Sequence, residues 1–421
     1  MSAGNKVLVV GMEKSGRAVF EFLHARGAEV TATDLRPHDV AGFQLQTDEL
    51  FDESWDLIVP SPGVPLDLPG IVRAKERGVT VIGEVEFAAP YLLGPVIGIT
   101  GTNGKTTTTS LVGHILQSAG TPVQVGGNIG TPVIAMTETS RADQWNVLEL
   151  SSFQLETIRT FRAHVGVCLN VTQNHLDRHY TFENYAAAKG NLFRTQQPGD
   201  YAVLNADDAV CRSFAAITPA TPVWFSGRNI GELMPLADVP IPGMHNAENV
   251  MAAAAAAEIA GVAKRDIVAA VKTFQAVEHR LEFVAEIDGV RFYNDSKATS
   301  VDATMKALDS FPGGLWVILG GKDKGSDYTA LRDRLQRKAH AALLIGAAAE
   351  KIASQLEGAV RIVRSATLEN AVAEAWKHAH PGDTVLLAPA CASFDQFQSY
   401  EHRGRVFKDL VNGLQKHGAA A

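Results

Sequence analysis

The chain has 421 residues, too long for one hydrophobic core, and ordinary domain sizes predict about three domains. Hydrophobic residues are 46% and charged residues 20%, the balance of a globular protein, and the formal net charge of −8 argues against nucleic acid or an anionic membrane as the main partner. Three widely spaced cysteines (Cys168, Cys211, Cys391) disfavour disulfides and thiolate metal sites, and no apolar run approaches the ~18 residues of a spanning helix.

Lys6–Val10 reads as a first strand rather than a signal sequence, so a reduced cytoplasm is the expected compartment. Residues 5–35 form a βαβ pattern: that strand, a turn from Gly11 to Gly16, a helix to Arg26 capped by Gly27, and a strand Glu29–Thr33 ending at Asp34. An acid about twenty residues past a glycine turn invites a dinucleotide reading. Glu13 spoils it, because the second glycine of that fingerprint lets the backbone approach a pyrophosphate. A looser diphosphate-sugar site using Lys14, Ser15 and the helix N-terminus fits better. Leu57-Ile58-Val59 then runs into Pro60–Pro65, either a ligand loop at a strand end or a plain connector. After a strand at Thr80–Ile82, Glu84–Phe87 and Pro90–Pro95 read as a linker, with a domain boundary near residue 90.

The stretch Pro95–Thr109 is the centre of the chain. Val96, Ile97 and Ile99 feed a glycine-rich turn, and Gly104-Lys105-Thr106 opens a helical pattern through Leu111, Val112, Ile115 and Leu116. Such a loop can wrap N–H groups around a polyphosphate, set a lysine against its outer phosphates and offer a threonine hydroxyl to Mg²⁺. Ile99 stands where the strict phosphate-loop pattern needs its first glycine, with Gly98 and Gly101 on either side. Gly126–Gly130 is another glycine loop. Strand Trp145–Leu150 carries Glu149, which is too costly to bury uncompensated and so is paired, exposed or bound to metal. Strand Gly166–Asn170 delivers Asn174 and His175. Helix Phe182–Phe193 carries Lys189, and His245–Asn249 precedes an alanine-rich helix Met251–Ala260, where the asparagines either cap the helix or meet a nucleotide base. Beyond Phe274, strands Val290–Asn294, Leu315–Leu319, Ala342–Ile345 and Thr384–Leu387 alternate with helices and predict a third parallel sheet with its chemistry at the strand ends.

Four segments carry a resemblance over nearly the whole chain: Gly101–Thr106, Leu148–Leu155, Asn294–Thr299 and Pro389–Phe397. Together they resemble the Mur ligases, the second and fourth being particularly like the member that adds D-glutamate. The resemblance implies an α/β enzyme of three domains: a Rossmann-like uridine-nucleotide domain (1–90), a central P-loop-type ATPase domain (91–277) and a Rossmann-like amino-acid domain (278–421). It further implies an ATP-dependent amide ligase of peptidoglycan synthesis. Such an enzyme phosphorylates the carboxylate of UDP-N-acetylmuramoyl-L-alanine and lets the amine of D-glutamate displace the phosphate, as a monomer with no nucleic-acid or membrane partner.

By the same resemblance Gly101, Thr102, Asn103, Gly104, Lys105, Thr106, Thr107, Asn249, Arg280 and Asp295 bind ATP. Thr106 and Glu149 hold one Mg²⁺, while His175 and a Lys189 carbamylated by CO₂ serve a second. Lys14, Ser15, Asp34, Arg36 and Ser61 take the uracil and diphosphate end of the uridine substrate, with Asn128 and His175 at its acyl end. Thr299 and Lys324 take one D-glutamate carboxylate, Ser393 and the backbone near Tyr400 the other. The sequence departs from the family pattern at Asn174, where Asp is usual, at Gly190 inside a helix, which invites a bend, and at Lys322, which competes with Lys324. A sister ligase with another acceptor remains open. So does a phosphate-loop switch protein, though the guanine motif N-K-x-D is absent.

Overall fold

The computed structural model describes residues 5–275 and 278–418, so the boundary expected at Val277 lies partly outside the described residues. Three α/β sheets are present, as the alternation of strand and helix patterns predicts. The first contains β1 (Lys6–Val10), β2 (Glu29–Asp34), β3 (Phe43–Leu45), β4 (Leu57–Pro60) and β5 (Thr80–Val81), all parallel in the order β3-β2-β1-β4-β5. The second contains β6 (Val96–Thr100), β7 (Val123–Gly127), β8 (Trp145–Glu149), β9 (Val165–Cys168), β10 (Tyr201–Asn205) and β11 (Thr221–Phe225), all parallel in the order β11-β10-β9-β6-β8-β7. Helices cover both faces, which is why β6 is buried at all five positions and reads as an unbroken apolar run.

The third sheet holds β12 (Glu282–Ile287), β13 (Val290–Asn294), β14 (Leu315–Gly320), β15 (Ala339–Ile345), β16 (Arg361–Ala366) and β17 (Thr384–Leu387), ordered β12-β13-β17-β14-β15-β16. It departs from the purely parallel expectation, because β12 runs antiparallel to β13. The cause is local: Asp288 and Gly289 have φ of 48° and 78°, the two positive values that a tight hairpin turn requires and that Asp-Gly supplies cheaply.

By compactness the chain divides into two units: residues up to Met234 with Glu248–Val271, and Pro235–Ala247 with Lys272 onward. Within the first unit, Glu84–Ala88 corrects the linker reading. It is a helix buried at every position, and its two acids bind backbone across the first and second sheets. Glu84 Oε1 accepts from Ile134 N (2.7 Å). The two oxygens of Glu86 take the N–H groups of Arg159, Thr160 and Phe161 (2.8 to 3.0 Å) and the Thr160 hydroxyl (2.6 Å). The alanine-rich helix is also longer than expected, Met244–Ile259, so Asn249 lies inside it and does not cap it. The helix Phe182–Arg194 runs unbroken through Gly190; a Cβ there would meet Ile217 and Phe214 at 3.2 Å, so the glycine serves close packing rather than a bend.

Candidate active site

In the second sheet the strand order reverses around β6, and the loop Gly101–Gly104 leaves its carboxyl end for the helix Lys105–Ser118. In open α/β sheets that is where ligands bind. Gly104 has φ of 86°, and a Cβ on it would stand 2.2 Å from Asn249 Oδ1, so only glycine lets this cradle form. Asn170, on the loop after β9, fixes the cradle from below: its Oδ1 accepts from Asn103 N (2.9 Å) and its Nδ2 donates to Asn103 O (3.2 Å). Sequence reasoning misses Asn170, because its partner lies 67 residues away.

Two lysines converge on one carbonyl. Lys105 Nζ donates to Gly101 O and Thr102 O (both 2.9 Å), and Lys189 Nζ donates to the same Gly101 O (2.8 Å). Lys189 is 1% exposed; burial, reinforced by the charge of Lys105, lowers its pKa to about 7. At neutral pH a substantial share of it, about half, is therefore a neutral, nucleophilic amine rather than the solvated lysine that a helix face would suggest. The ring of Tyr185, one turn earlier, lies 4.6 Å from Lys189 Nζ, and its hydroxyl stands 3.0 Å from Thr102 Oγ1.

Glu149, the last residue of β8, is 2% exposed. Asn128 Nδ2 donates to its Oε1 (2.8 Å), while Oε2 is buried without a hydrogen-bond partner. An orphaned carboxylate oxygen is what a cation site needs, and Thr106 is buried in the first turn of the loop helix. Among the described residues no group of three His, Cys, Asp or Glu forms a metal cage, so a cation here would draw on phosphate oxygens and water as well.

His175 adopts a left-handed backbone (φ 52°), and its ring meets Phe153 edge-on at 4.9 Å. Phe153 is held by a capping box in which Ser151 and Gln154 bond each other reciprocally. Desolvation lowers the pKa of His175, helped by the charges of Lys105 and Lys189 against Asp177, which favours the neutral, ligating imidazole. Asn174 turns its Oδ1 to the backbone N–H of His175 (2.9 Å).

At the first sheet, Ser61 Oγ donates to Gly11 O (2.6 Å), joining the loops after β1 and β4 where the strand order reverses. Asp34 Oδ2 accepts from Met12 N (2.7 Å) and Oδ1 from Arg36 N (3.1 Å). Burial alone would raise its pKa, but these N–H groups and His38 hold it below the usual range. Lys14 and Ser15 open the first helix. A narrow cleft lined by Pro60, Ser61, Val64, Phe153, Gln154 and Arg178 leads from this loop toward the second sheet.

In the second unit the expected residues gather on loops at the carboxyl ends of β13, β14 and β17. Lys324 Nζ lies 3.5 Å from both Thr299 O and Thr299 Oγ1, whereas the backbone of Lys322 pairs with Ala392 (2.8 and 3.1 Å). Between the two lysines, Asp323 is drawn to Lys351 (2.7 Å) and Tyr328 (2.8 Å), its pKa held down to about 2 by the Lys351 hydrogen bond first. Ser393 is buried, and Tyr400 O accepts from Ser296 Oγ (2.8 Å). Asp295 accepts from Leu281 N (3.2 Å); burial raises its pKa to about 6 against the pull of Arg280, whose own buried Nε has no hydrogen-bond partner.

A glycine cradle at the end of a central parallel strand, feeding a helix through a lysine and a threonine, defines a phosphate-loop nucleotide-binding α/β protein. Family models match three stretches: the Mur ligase MurD-like N-terminal domain (5–83), the Mur ligase middle domain (99–232) and the Mur ligase glutamate ligase domain (279–391). The chain belongs to the Mur ligase family. It is 65% identical to the UDP-N-acetylmuramoylalanine--D-glutamate ligase of Solibacter usitatus (strain Ellin6076), with 98% of each chain covered. It is 51% identical to the enzyme of that name from Acidobacterium capsulatum, over 99% of this chain and 98% of the other. Among solved structures it shares its fold with the MurF ligase of Thermotoga maritima in complex with ADP, at a TM-score of 0.60 and 16% identity over 98% and 96% of the two chains. The UDP-N-acetylmuramate-alanine ligase MurC of the same organism gives 0.59 and 17% over 99% and 100%. No helix among the described residues is long and apolar enough to cross a membrane.

Proposed function

We propose that this chain is an ATP- and Mg²⁺-dependent ligase joining D-glutamate to the carboxylate of UDP-N-acetylmuramoyl-L-alanine, as a cytoplasmic monomer in peptidoglycan synthesis. The observation that carries the reading is the pair of lysines on the Gly101 carbonyl beside the orphaned oxygen of Glu149. The identity of 65% to a relative named for this reaction supports D-glutamate over a sister acceptor.

A carboxylate and a triphosphate repel, so they must be aligned and their charge offset before phosphoryl transfer. The backbone of Gly101–Gly104, with Thr107, cradles the phosphates, and Lys105 swings from the loop carbonyls onto the transferring group as charge builds there. Asn249 faces the adenine, and Arg280 and Asp295 are the nucleotide contacts that the second unit offers. Thr106 and Glu149 hold one Mg²⁺, and His175 with Lys189 a second; when bound, the metal neutralises phosphate charge and polarises the phosphoryl group. Lys189 suits that role only as an anion. Its neutral amine can add to CO₂: an N–C bond forms, one N–H proton leaves, and the N-carboxylate presents two oxygens.

Lys14, Ser15, Asp34, Arg36 and Ser61 hold the uridine diphosphate, while Asn128 and His175 hold the acyl end, where the carboxylate becomes an acyl phosphate. Lys324 with Thr299, and Ser393 with the backbone at Tyr400, bind the two carboxylates of D-glutamate; its amine attacks the acyl carbon and phosphate leaves. Lys324, rather than Lys322, makes this contact because it stands beside Thr299. The domain spans 1–90, 91–277 and 278–421 then correspond to uridine, ATP and amino acid. Incubation with ATP, the uridine substrate and one amino acid at a time tests the reading. Phosphate release with a new amide product is expected for D-glutamate; release with L-alanine or a diamino acid but not with D-glutamate refutes it.

A further inference from the structure

Arg403, in the first turn of the helix Tyr400–Gly418, is fully buried and forms no ion pair with an acid among the described residues. Its donors go to two loops instead. Nε donates to Ser296 Oγ (3.0 Å) and Nη2 to Ser296 O (2.8 Å), while Nη1 and Nη2 both reach Cys391 O (3.3 Å). A Cβ on Gly321 would stand 3.2 Å from Nη1, so the loop after β14 passes over the same guanidinium. Ser296 lies three residues before Thr299 and Cys391 two before Ser393, the positions assigned to D-glutamate.

This arrangement is unfavourable for stability alone. Desolvating a cation costs several kcal/mol, which carbonyls and a hydroxyl offset only in part, and the N-terminal turn of a helix is the wrong end for positive charge. Burial accordingly lowers the pKa of Arg403 to about 10, with Cys391 and Asp395 opposing the drop. A methionine would fill similar volume without either penalty. What only arginine supplies is a rigid fork that spans two loops and a charge that does not titrate at neutral pH.

We propose that Arg403 is the positioning residue of the amino-acid site: it locks the loops after β13 and β17 together and leaves beneath them a fixed positive charge that favours a dianionic amino acid. The inference rests on the D-glutamate reading above and adds to it a residue that does not itself touch the substrate.

The test compares wild type, Arg403→Lys, Arg403→Met and Arg403→Ala, varying D-glutamate, ATP and the uridine substrate separately, with melting temperatures and with millimolar guanidinium ion added. Arg403→Met should raise KM for D-glutamate about tenfold or more while KM for ATP and the uridine substrate stays within about twofold. Arg403→Lys, which keeps the charge without the fork, should fall between, and guanidinium should lower KM for D-glutamate only in a third variant, Arg403→Ala, whose truncated side chain leaves room for the ion. If Arg403→Met does not fold, Ser296→Ala removes the Nε acceptor and leaves the cation in place, and should raise KM for D-glutamate selectively. An unchanged KM for D-glutamate in a folded variant, or an equal rise for all three substrates, overturns the proposal. Failure of the wild type to form product with D-glutamate overturns the functional reading itself, and is read from the wild type alone.

Discussion

Replacing Lys189 by methionine removes a titratable amine from a buried site where, among the described residues, no acid forms an ion pair with it. Lys189 is 1% exposed, and burial together with Lys105 brings its pKa from 10.5 down to about 7. At about 1.4 kcal/mol per pKa unit, the shift corresponds to roughly 5 kcal/mol between the charged and neutral forms in the folded chain. Linkage sets the sign. The folded pKa is depressed, so between about pH 7 and 10.5 the unfolded chain holds a proton that the folded chain lacks. The stability is fully present above the unfolded value and is lost as pH falls through 7. Lys189→Met keeps the aliphatic length and loses the titration. Its stability should therefore rise less steeply than that of the wild type, by about 1.4 kcal/mol per pH unit between about pH 7.5 and 9.5. At about pH 7 it should be the more stable protein by at most a few kcal/mol, because the bond to Gly101 O goes too. Urea melts in CO₂-free buffer, followed by the fluorescence of Trp145 and Trp224, measure the difference. Parallel stability curves for the two proteins would refute the buried neutral amine and remove the reason for Lys189 to capture CO₂.

Lys105→Ala should leave the melting temperature near that of the wild type and abolish acyl-phosphate formation, read by hydroxylamine trapping; full turnover would remove the phosphate-loop argument. Lys189→Ala should be inactive and partly restored by a short-chain carboxylate, since the missing group is an anion; a dose series with acetate and propionate checks it. Glu149→Gln should raise the Mg²⁺ concentration for half-maximal rate by about tenfold, measured by titration at fixed ATP, because an amide is a poorer ligand than a carboxylate. Glu84 has a folded pKa raised by burial to about 7, so its stabilising contribution is present below 4.5 and is lost as pH rises through 7. Glu84→Gln should thus gain on the wild type as pH rises from about 4.5 to about 7 and hold that gain above it, by up to about 3 kcal/mol less the penalty for an unpaired amide beside Val133 and Ile134, as followed by thermal melts from about pH 5 to 8.

Chemistry written in consecutive residues is legible in the sequence alone. The cradle Gly101–Thr106 can be read because its glycines, lysine and threonine are neighbours whose roles are local, and the parallel sheets because their strands are buried on both faces. The residues that escape are those whose partners are remote. Glu84 and Glu86 look like part of a linker because the backbone N–H groups they bind are 50 and 73 to 75 positions away. Arg403 looks like an exposed helix residue because Ser296 is 107 positions distant. Asn249 reads as a cap because its neighbours His245, Asn246 and Glu248 favour helix starts, yet the helix begins earlier and sets it beneath Gly104. Only the antiparallel edge of the third sheet has a short-range signal, Asp288-Gly289, which the run of alternating strands and helices masks.

The two acids of Glu84–Ala88 also turn the first unit into a ruler. With their oxygens bonded to backbone at Ile134 and at Arg159–Phe161, the first sheet, whose loops meet at Gly11 and Ser61, is tied to the elements around the second sheet, whose loop forms the cradle at Gly101. In the proposed reading, a uridine substrate with a shorter or longer arm would bring its carboxylate out of line with the phosphates in the cradle.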